Sequence, residues 1–172
     1  EDMGCSQEMF ADEAARWADE EALQALRAAS PTLQEKWTSG DDPSEWIGVT
    51  SRYGRVRELT LEDCSLKVLP AELGQLTALT TFYLTSCEQL TALPAELGQL
   101  TVLTALYLGG CKQLTALPAE LGQLTALTTL DLNGCKQLTA LPAELGQLTA
   151  LTTLDLNGCK QLTALPAELG QL

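Results

Sequence analysis

Cysteine is the residue type in this chain whose spacing points most directly to chemistry. Intervals of 23, 24, 24 and 24 residues separate five of the six cysteines, which are Cys64, Cys87, Cys111, Cys135 and Cys159. Histidine is absent, which excludes Cys–His and Ser–His–Asp nucleophiles and His-ligated zinc. No two cysteines are close in sequence, as the ligands of a cysteine-bound zinc usually are. We therefore expect no metal and no cofactor, and we predict reduced, buried thiols that act as small hydrophobic side chains.

The constant cysteine interval reflects an internal repeat of 24 residues. Residues 117–140 read LPAELGQLTALTTLDLNGCKQLTA, and residues 141–164 repeat those letters without a change. Residues 69–92 and 93–116 carry the same unit with five and four substitutions. A degenerate copy begins at Val56, so the pattern makes about five turns before the chain ends. A period of this length predicts a solenoid of stacked coils.

Each unit is expected to contain one short strand and one helical turn. The alternation Leu130-Asp131-Leu132 predicts a strand with its leucines inward and its aspartate outward. In the next unit, Pro142 near the start and Gly146 just past the end predict a single helical turn, with Glu144 near its N-terminus. Coils stacked about 4.8 Å apart would share one leucine core. The expected fold class is therefore α/β: a right-handed curved solenoid with a parallel sheet on the concave face and helical turns on the convex side.

Sequence differences between the copies collect on the outward face of the predicted strands. Six of the nine substitutions fall there, more than an even spread over the unit would give: Tyr83, Thr85, Ser86, Ala105, Tyr107 and Gly109. Tyrosines supply rigid contact area, and aspartates accept hydrogen bonds from cationic groups. The alternative is a solvated face whose Asp column is only the repeat consensus. The residues predicted to bind a ligand are Tyr83, Thr85, Tyr107, Asp131, Asn133, Asp155 and Asn157.

Asp131 and Asp155 are the one pair that could support acid–base catalysis. On neighbouring strands they would lie about 5 Å apart, which is a carboxylate-pair spacing. However, an open curved sheet has no pocket walls to exclude water from them. We therefore expect no catalytic residues and no enzyme activity.

Residues 1–55 precede the repeats and are expected to cap the first coil, leaving 56–172 as the repeat domain. Apolar residues at helical spacing predict a helix over 6–29, which Ser30-Pro31 ends. The stretch Ser51–Arg55 is expected to be the turn of a hairpin leading into the first coil. Trp37 and Trp46 are interpreted as core residues of this cap rather than ligand contacts.

The LxxLxLxxC core and the LPxxLGxL segment resemble the leucine-rich repeat (LRR) family over all of 56–172. They look most like repeats of intracellular plant immune receptors and of brown-algal LRR arrays, including LRR-GTPases of the ROCO type. The preceding segment is similar to the N-terminal cap of plant-type LRR proteins, in which a disulfide commonly braces a CxWxGVxxC-like element. Here Ser44 and Ser51 stand where those two cysteines are expected.

Several features favour a reducing, cytoplasmic location. The two serines, the regularly spaced thiols and the absence of an N-x-[ST] acceptor all argue against an oxidising compartment. Met3-Gly4-Cys5-Ser6 would be an acylation signal at Gly4/Cys5 if Met3 began the natural protein, although Glu8 stands where that motif prefers Ser or Thr. We expect Cys5 to be a plain exposed thiol.

The net charge and hydropathy of the chain restrict the classes of partner that it is expected to bind. Ten basic and 23 acidic residues give a net charge of −13, which repels phosphate backbones and anionic lipid and argues against nucleic acid. No apolar run is long enough to predict membrane insertion. The first hypothesis is a protein- or peptide-recognition module with a partner of basic character, cut from a larger intracellular signalling or defence protein. The alternatives are the regulatory LRR arm of a ROCO-type GTPase or kinase, and a secreted or cell-surface pattern-recognition receptor.

The chain stops inside a repeat unit, with no capping segment after it. We therefore expect leucines such as Leu154, Leu156, Leu162 and Leu169 to lie exposed along the last edge, next to unpaired strand backbone. The predicted consequences are further repeats in the parent protein, and fraying or end-to-end self-association of the 172-residue chain.

Overall fold

A computed structural model describes residues 3–38 and 40–171, with side chains described at 13–38 and 40–170. Two helices and a hairpin precede five repeating coils. The helices and strands are α1 (Met3–Ala29), α2 (Pro31–Lys36), β1 (Val49–Arg52), β2 (Arg55–Glu62), β3 (Thr81–Thr85), β4 (Ala105–Tyr107), β5 (Thr129–Asp131) and β6 (Thr153–Asp155). The 3₁₀ turns are Pro43–Glu45, Ala71–Gln75, Ala95–Gln99, Ala119–Gln123, Ala143–Gln147 and Ala167–Gln171.

The six strands form one open sheet in sequence order. Strands β1 and β2 are antiparallel, and each later pair is parallel. Because the repeat length is constant, equivalent residues of successive coils lie side by side: Leu106 pairs with Leu130, and Leu130 with Leu154. The predicted solenoid, with a parallel sheet on one side and short helical turns on the other, is confirmed.

The core is a stack of leucines, and each coil contributes the same set of leucine positions to it. In the unit 117–140, Leu130, Leu132 and Leu138 are fully buried, as is Cys135. Each coil is too thin to bury these side chains alone, so burial comes from the coils above and below it. The last coil shows this dependence, because its Leu154 and other core leucines are only partly buried in this chain.

The repeated glycine has a different place and role from those predicted. Gly146 lies inside the turn Ala143–Gln147 rather than past its end, so its interpretation as a helix stop is wrong. A Cβ atom on Gly98 would lie 2.6 Å from the carbonyl oxygen of Glu120 in the next coil. Glycine is required here because successive 3₁₀ turns approach each other more closely than any side chain allows.

The N-terminal elements follow their sequence signals. Helix α1 begins at Met3, three residues earlier than predicted, and ends at Ala29. Ser30 then caps α2 by accepting a hydrogen bond from the backbone of Leu33 at 3.3 Å. The predicted hairpin is formed by β1 and β2, and its turn residues Tyr53 and Gly54 have φ of 55° and 72°.

The two predicted core tryptophans pack on each other. The rings of Trp37 and Trp46 are stacked with centroids 4.7 Å apart, and both side chains are buried. The Trp37 Nε1–H donates to the carbonyl oxygen of Ile47 at 2.9 Å. Their assignment to the core is confirmed.

Candidate ligand-binding face

The outward side chains of β2–β6 and of the residues just after them form a face, here called the concave face. Parallel in-register pairing arranges them in three rows that run across the strands. The first row is Glu58, Thr81, Ala105, Thr129 and Thr153; the second is Thr60, Tyr83, Tyr107, Asp131 and Asp155; the third is Glu62, Thr85, Gly109, Asn133 and Asn157. All seven residues predicted to bind a ligand therefore lie on one continuous surface.

Tyr83 and Tyr107 form an aromatic platform in the middle row. Their ring centroids are 4.6 Å apart and the rings are 6° from parallel. Neighbouring strands lie about 4.8 Å apart, so two tyrosines at the same motif position are brought face to face by the sheet itself. Both side chains are half-buried, which leaves ring surface available to a partner.

Asp131 and Asp155 have a structural role that the sequence did not predict. The Asp131 Oδ1 atom accepts the backbone N–H of Asn133 at 2.7 Å, and Asp155 Oδ1 accepts that of Asn157 at 2.8 Å. These hydrogen bonds fix the bends that follow β5 and β6. This role accounts for Asp at the consensus position without any ligand.

The second carboxylate oxygen of Asp131 lies next to Gly109. This Oδ2 atom lies 3.5 Å from the position that a Cβ on Gly109 would occupy. Glycine in place of the consensus asparagine therefore leaves the space beside the Asp131 carboxylate without a side chain, and this space is here called the notch at Gly109. Among the described residues, no lysine or arginine forms an ion pair with Asp131 or Asp155.

The charged residues of the concave face are all acidic. Its three rows contain four carboxylates and no basic residue: Glu58, Glu62, Asp131 and Asp155. Basic side chains lie at its margins, where the Lys36 ammonium contacts the carbonyl oxygen of Glu62 at 3.5 Å and Lys112 forms an ion pair with Glu88. Glu58 was missed as a face residue because the first repeat is degenerate, although the alternation through Leu59 and Leu61 indicates its outward position.

The cysteines form an inward column of free thiols. Each of the later thiols donates to a carbonyl oxygen 27 residues earlier, at 3.2–3.3 Å: Cys111 to Leu84, Cys135 to Leu108 and Cys159 to Leu132. Burial raises the pKa of both Cys111 and Cys135 to about 12. The predicted burial is wrong for Cys159, which is only partly covered because no coil of this chain lies beyond it.

Among the described side chains, no group of three His, Cys, Asp or Glu residues could hold a metal ion. Within residues 3–38 and 40–171, no helix has the length and apolarity to cross a bilayer. The acylation signal at Gly4/Cys5 lies outside the described side chains.

Two protein-family models match the repeat region of the chain. A family model described as "Leucine-rich repeat region" matches residues 51–157, and one described as "Leucine Rich Repeat" matches 150–172. A comparison with curated protein sequences gives no match.

Three solved structures illustrate the similarity of the chain to known proteins. A plant ice-binding protein is 29% identical with a TM-score of 0.68, over 81% of this chain and 47% of that one. The LRR domain of the type III effector XopL is 30% identical with a TM-score of 0.59, over 72% and 44%. An LRR protein of Leptospira interrogans is 39% identical with a TM-score of 0.56, over 64% and 31%. The chain thus spans between about a third and a half of the length of these proteins.

Sequence, fold and comparisons agree on one classification. The first family match covers more than half of the chain, and the open parallel sheet with short 3₁₀ turns is the architecture of the LRR structures it resembles. Repeats of this kind generally serve as modules for binding other proteins. The chain belongs to the leucine-rich repeat family.

Proposed function

We propose that this chain is a recognition module that binds a protein or peptide of basic character through its concave face. The observation that carries the proposal is the stacked pair Tyr83–Tyr107 in register with the Asp131 carboxylate. We place it in a larger intracellular signalling or defence protein, with residues 1–55 capping the first coil and 56–172 forming the recognition array.

The chemistry of the face favours arginine in the partner. A guanidinium is planar, so it stacks on a tyrosine ring, and it donates hydrogen bonds to carboxylates. Asp131 is the register partner of Tyr107 on the next strand, and the notch at Gly109 leaves no side chain beside its Oδ2 atom. One guanidinium could therefore stack on the ring and donate to this carboxylate. The four carboxylates of the face strengthen attraction to a cationic partner and repel an acidic one.

Selection from a displayed peptide library against the full chain tests this function. We expect enriched peptides to contain arginine next to an aromatic or apolar residue. Tyr83→Ala with Tyr107→Ala should weaken their binding by on the order of 2–4 kcal/mol, because central aromatic residues dominate such interfaces. Asp131→Asn should act mainly on arginine-containing peptides.

A matched control lies on another surface of the same coils. Val102→Ala restores the consensus residue at an exposed position off the concave face, and it should leave binding unchanged. Enriched peptides that bind the double tyrosine variant as tightly as the parent would rule out the concave face as the recognition site.

A second candidate function rests on a regular column of exposed threonines. Thr91, Thr115, Thr139 and Thr163 recur every 24 residues, are exposed, and are each followed by an exposed alanine. The hydroxyls of Thr115 and Thr139 donate to the backbone carbonyls of the preceding threonines at 3.4 Å, which fixes their orientation. A rigid row of oxygens and methyl groups spaced about 4.8 Å apart could order water, and a plant ice-binding protein is among the similar structures.

Thermal hysteresis and ice recrystallisation measurements separate this candidate from the first. If the column binds ice, Thr115→Lys with Thr139→Lys should abolish the activity. The matched control is Thr101→Lys with Thr125→Lys, which alters exposed threonines of a different column in the same units. Absence of thermal hysteresis in the parent chain would eliminate this candidate and leave the first untouched.

A further inference from the structure

An exposed tryptophan on α1 lies apart from the concave face. The side chain of Trp17 is 74% exposed, whereas Trp37 and Trp46 are 0% and 4% exposed. Tryptophan buries more apolar area on contact than other side chains and is enriched at the centres of protein interfaces. Trp17 therefore lies outside the core, on a side of the helix that a partner can reach.

Trp17 does not stand alone on this side of the helix. A shallow depression of 460 Å³ surrounds it, here called the Trp17 surface, and its lining residues are Ala14, Trp17, Ala18, Glu20, Glu21 and Gln24. Residues 14, 17, 18 and 21 share one helix face because the spacing of three and four residues places them together. The small alanines on either side leave room for an incoming side chain to pack against the indole ring.

The Trp17 surface is held rigidly on the rest of the protein. On the opposite side of α1, Leu23 and Leu26 are buried against the first coil. The buried carboxylate of Asp19, two residues after Trp17, accepts the backbone N–H of Val56 at 2.9 Å. Because the helix is fixed so close to Trp17, a partner would meet a preformed site and would not bear the cost of ordering it.

Charge restricts what can bind there. Glu13, Glu20 and Glu21 are exposed on this part of α1. The nearby cation, Arg16, lies against the hairpin, with its Nε atom 2.4 Å from the position of a Cβ on Gly54. The surface is therefore apolar at its centre and acidic at its rim, so it repels acidic peptides, anionic lipid and a second copy presenting the same glutamates.

We propose that the Trp17 surface docks a basic amphipathic helix of another protein. An apolar side chain of that helix packs on Trp17 between Ala14 and Ala18, and its lysines or arginines pair with Glu20 and Glu21. Packing of two amphipathic helices uses apolar anchors on one face of each helix, with flanking charges that set the partner. The inference is independent of the concave face, which can be occupied at the same time.

The test uses two synthetic helical peptides with the same leucine stripe, one flanked by lysines and one by glutamates. Trp17 is the exposed indole of the described tryptophans, so acrylamide quenching of the full chain reports mainly on it. We expect the lysine peptide to reduce quenching and shift the emission to shorter wavelength, and the glutamate peptide to do neither. Binding of labelled lysine peptide, followed by anisotropy, should weaken about tenfold or more in Trp17→Ala.

Matched variants separate docking from folding. Ile47→Ala removes a side chain of equal exposure, 74%, at another place on the N-terminal segment, and it should not change peptide affinity. Glu20→Gln with Glu21→Gln should weaken binding and flatten its dependence on salt. Near-ultraviolet circular dichroism of the Trp37–Trp46 stack checks that Trp17→Ala remains folded.

Three outcomes would overturn the proposal. The first is equal affinity of the lysine peptide for the parent and Trp17→Ala. The second is equal binding of the glutamate peptide. The third is a concentration-dependent dimer in sedimentation that Trp17→Ala abolishes, because a second copy would then be the occupant.

Discussion

Asp19 and Arg55, from α1 and β2, form a salt bridge with two hydrogen bonds. Arg55 Nε and Nη2 donate to Asp19 Oδ2 and Oδ1 at 2.9 and 3.0 Å. The same Asp19 carboxylate accepts the backbone N–H of Val56, and its side chain is 4% exposed. This one carboxylate therefore joins the helix to the first strand of the sheet.

We predict that Asp19→Ala destabilises the protein by on the order of 3–5 kcal/mol. The substitution leaves a partly buried Arg55 charge and a buried Val56 N–H without their acceptor. The free energy of unfolding in urea measures the loss. Glu20→Ala, which removes an exposed carboxylate on the next residue, is the control and should change stability by less than about 0.5 kcal/mol; equal effects of the two would contradict the role assigned to Asp19.

Gly98 and Gly170 occupy the same motif position in two coils, and replacing each by alanine tests how closely successive 3₁₀ turns approach each other. In Gly98→Ala the new Cβ would meet the Glu120 carbonyl oxygen at 2.6 Å, whereas at Gly170 nothing lies within 4 Å. Gly98→Ala should lower the melting temperature, with a cost of about 1–3 kcal/mol for the forced displacement of backbone. Gly170→Ala should be neutral or slightly stabilising. A stable Gly98→Ala protein would show that the turns can separate without cost.

Because the thiols are buried, we predict that the stability of the folded protein decreases at alkaline pH. Burial, and then the neighbouring thiol of the preceding coil, raises the pKa of Cys111 and Cys135 from 9.0 to about 12. The folded state thus favours the neutral thiols, and their contribution is complete below pH 9 and is lost as pH rises from 9 through about 12. Urea unfolding at a series of pH values should show this decline, and it should be smaller in Cys135→Ala.

Alkylation without denaturant provides the matching chemical readout. At pH 8 iodoacetamide should modify Cys159 before Cys111 or Cys135, because the Cys159 thiol is only partly buried and thiolate access controls the rate. Because the peptides that carry Cys135 and Cys159 have the same sequence, the modified position is identified by fragmenting the intact chain in the mass spectrometer. Equal rates at all three positions would contradict the buried column.

Identical repeat units allow an internal comparison of local stability. Leu132 N–H donates to Asp155 O, and Gly134 N–H to Asn157 O, at 2.8 and 2.7 Å. Leu156 and Gly158 occupy the same motif positions, but no described residue accepts their amide protons. Hydrogen exchange in the 172-residue chain should therefore protect Leu132 and Gly134 far more than Leu156 and Gly158. Equal protection would show that the last coil is covered, as by self-association through its apolar edge.

The sequence predicted the repeating part of the fold well because one rule applies in every unit. The alternation at Leu130-Asp131-Leu132 and the constant interval determine strand, register and core together. The interpretation of Gly146 was wrong for a physical reason. Glycine is needed at this position because the backbone of the next coil lies too close for a side chain, and a local sequence pattern does not reveal a contact with another coil. The carboxylate of Asp19 was missed for the same reason, since its partners lie 36 and 37 positions away.

The candidate site was predictable in position but not in detail. Substitution between copies indicated Tyr83 and Tyr107, and the sheet register then necessarily brings them together. The stacked geometry of the rings, the notch at Gly109 and the backbone bond that occupies one oxygen of Asp131 depend on side-chain orientation. Sequence patterns carry no information on that orientation.

The contact between each thiol and the coil before it bears on how such a protein can evolve in length. Every coil interface from Cys111 onward uses the same donor and the same acceptor, 27 residues earlier. Recombination that adds or deletes one 24-residue unit in this region therefore recreates an existing interface and introduces no new one. The number of coils can therefore change by whole units through unequal crossing-over, while the coils that carry Tyr83 and Tyr107 keep their mutual register.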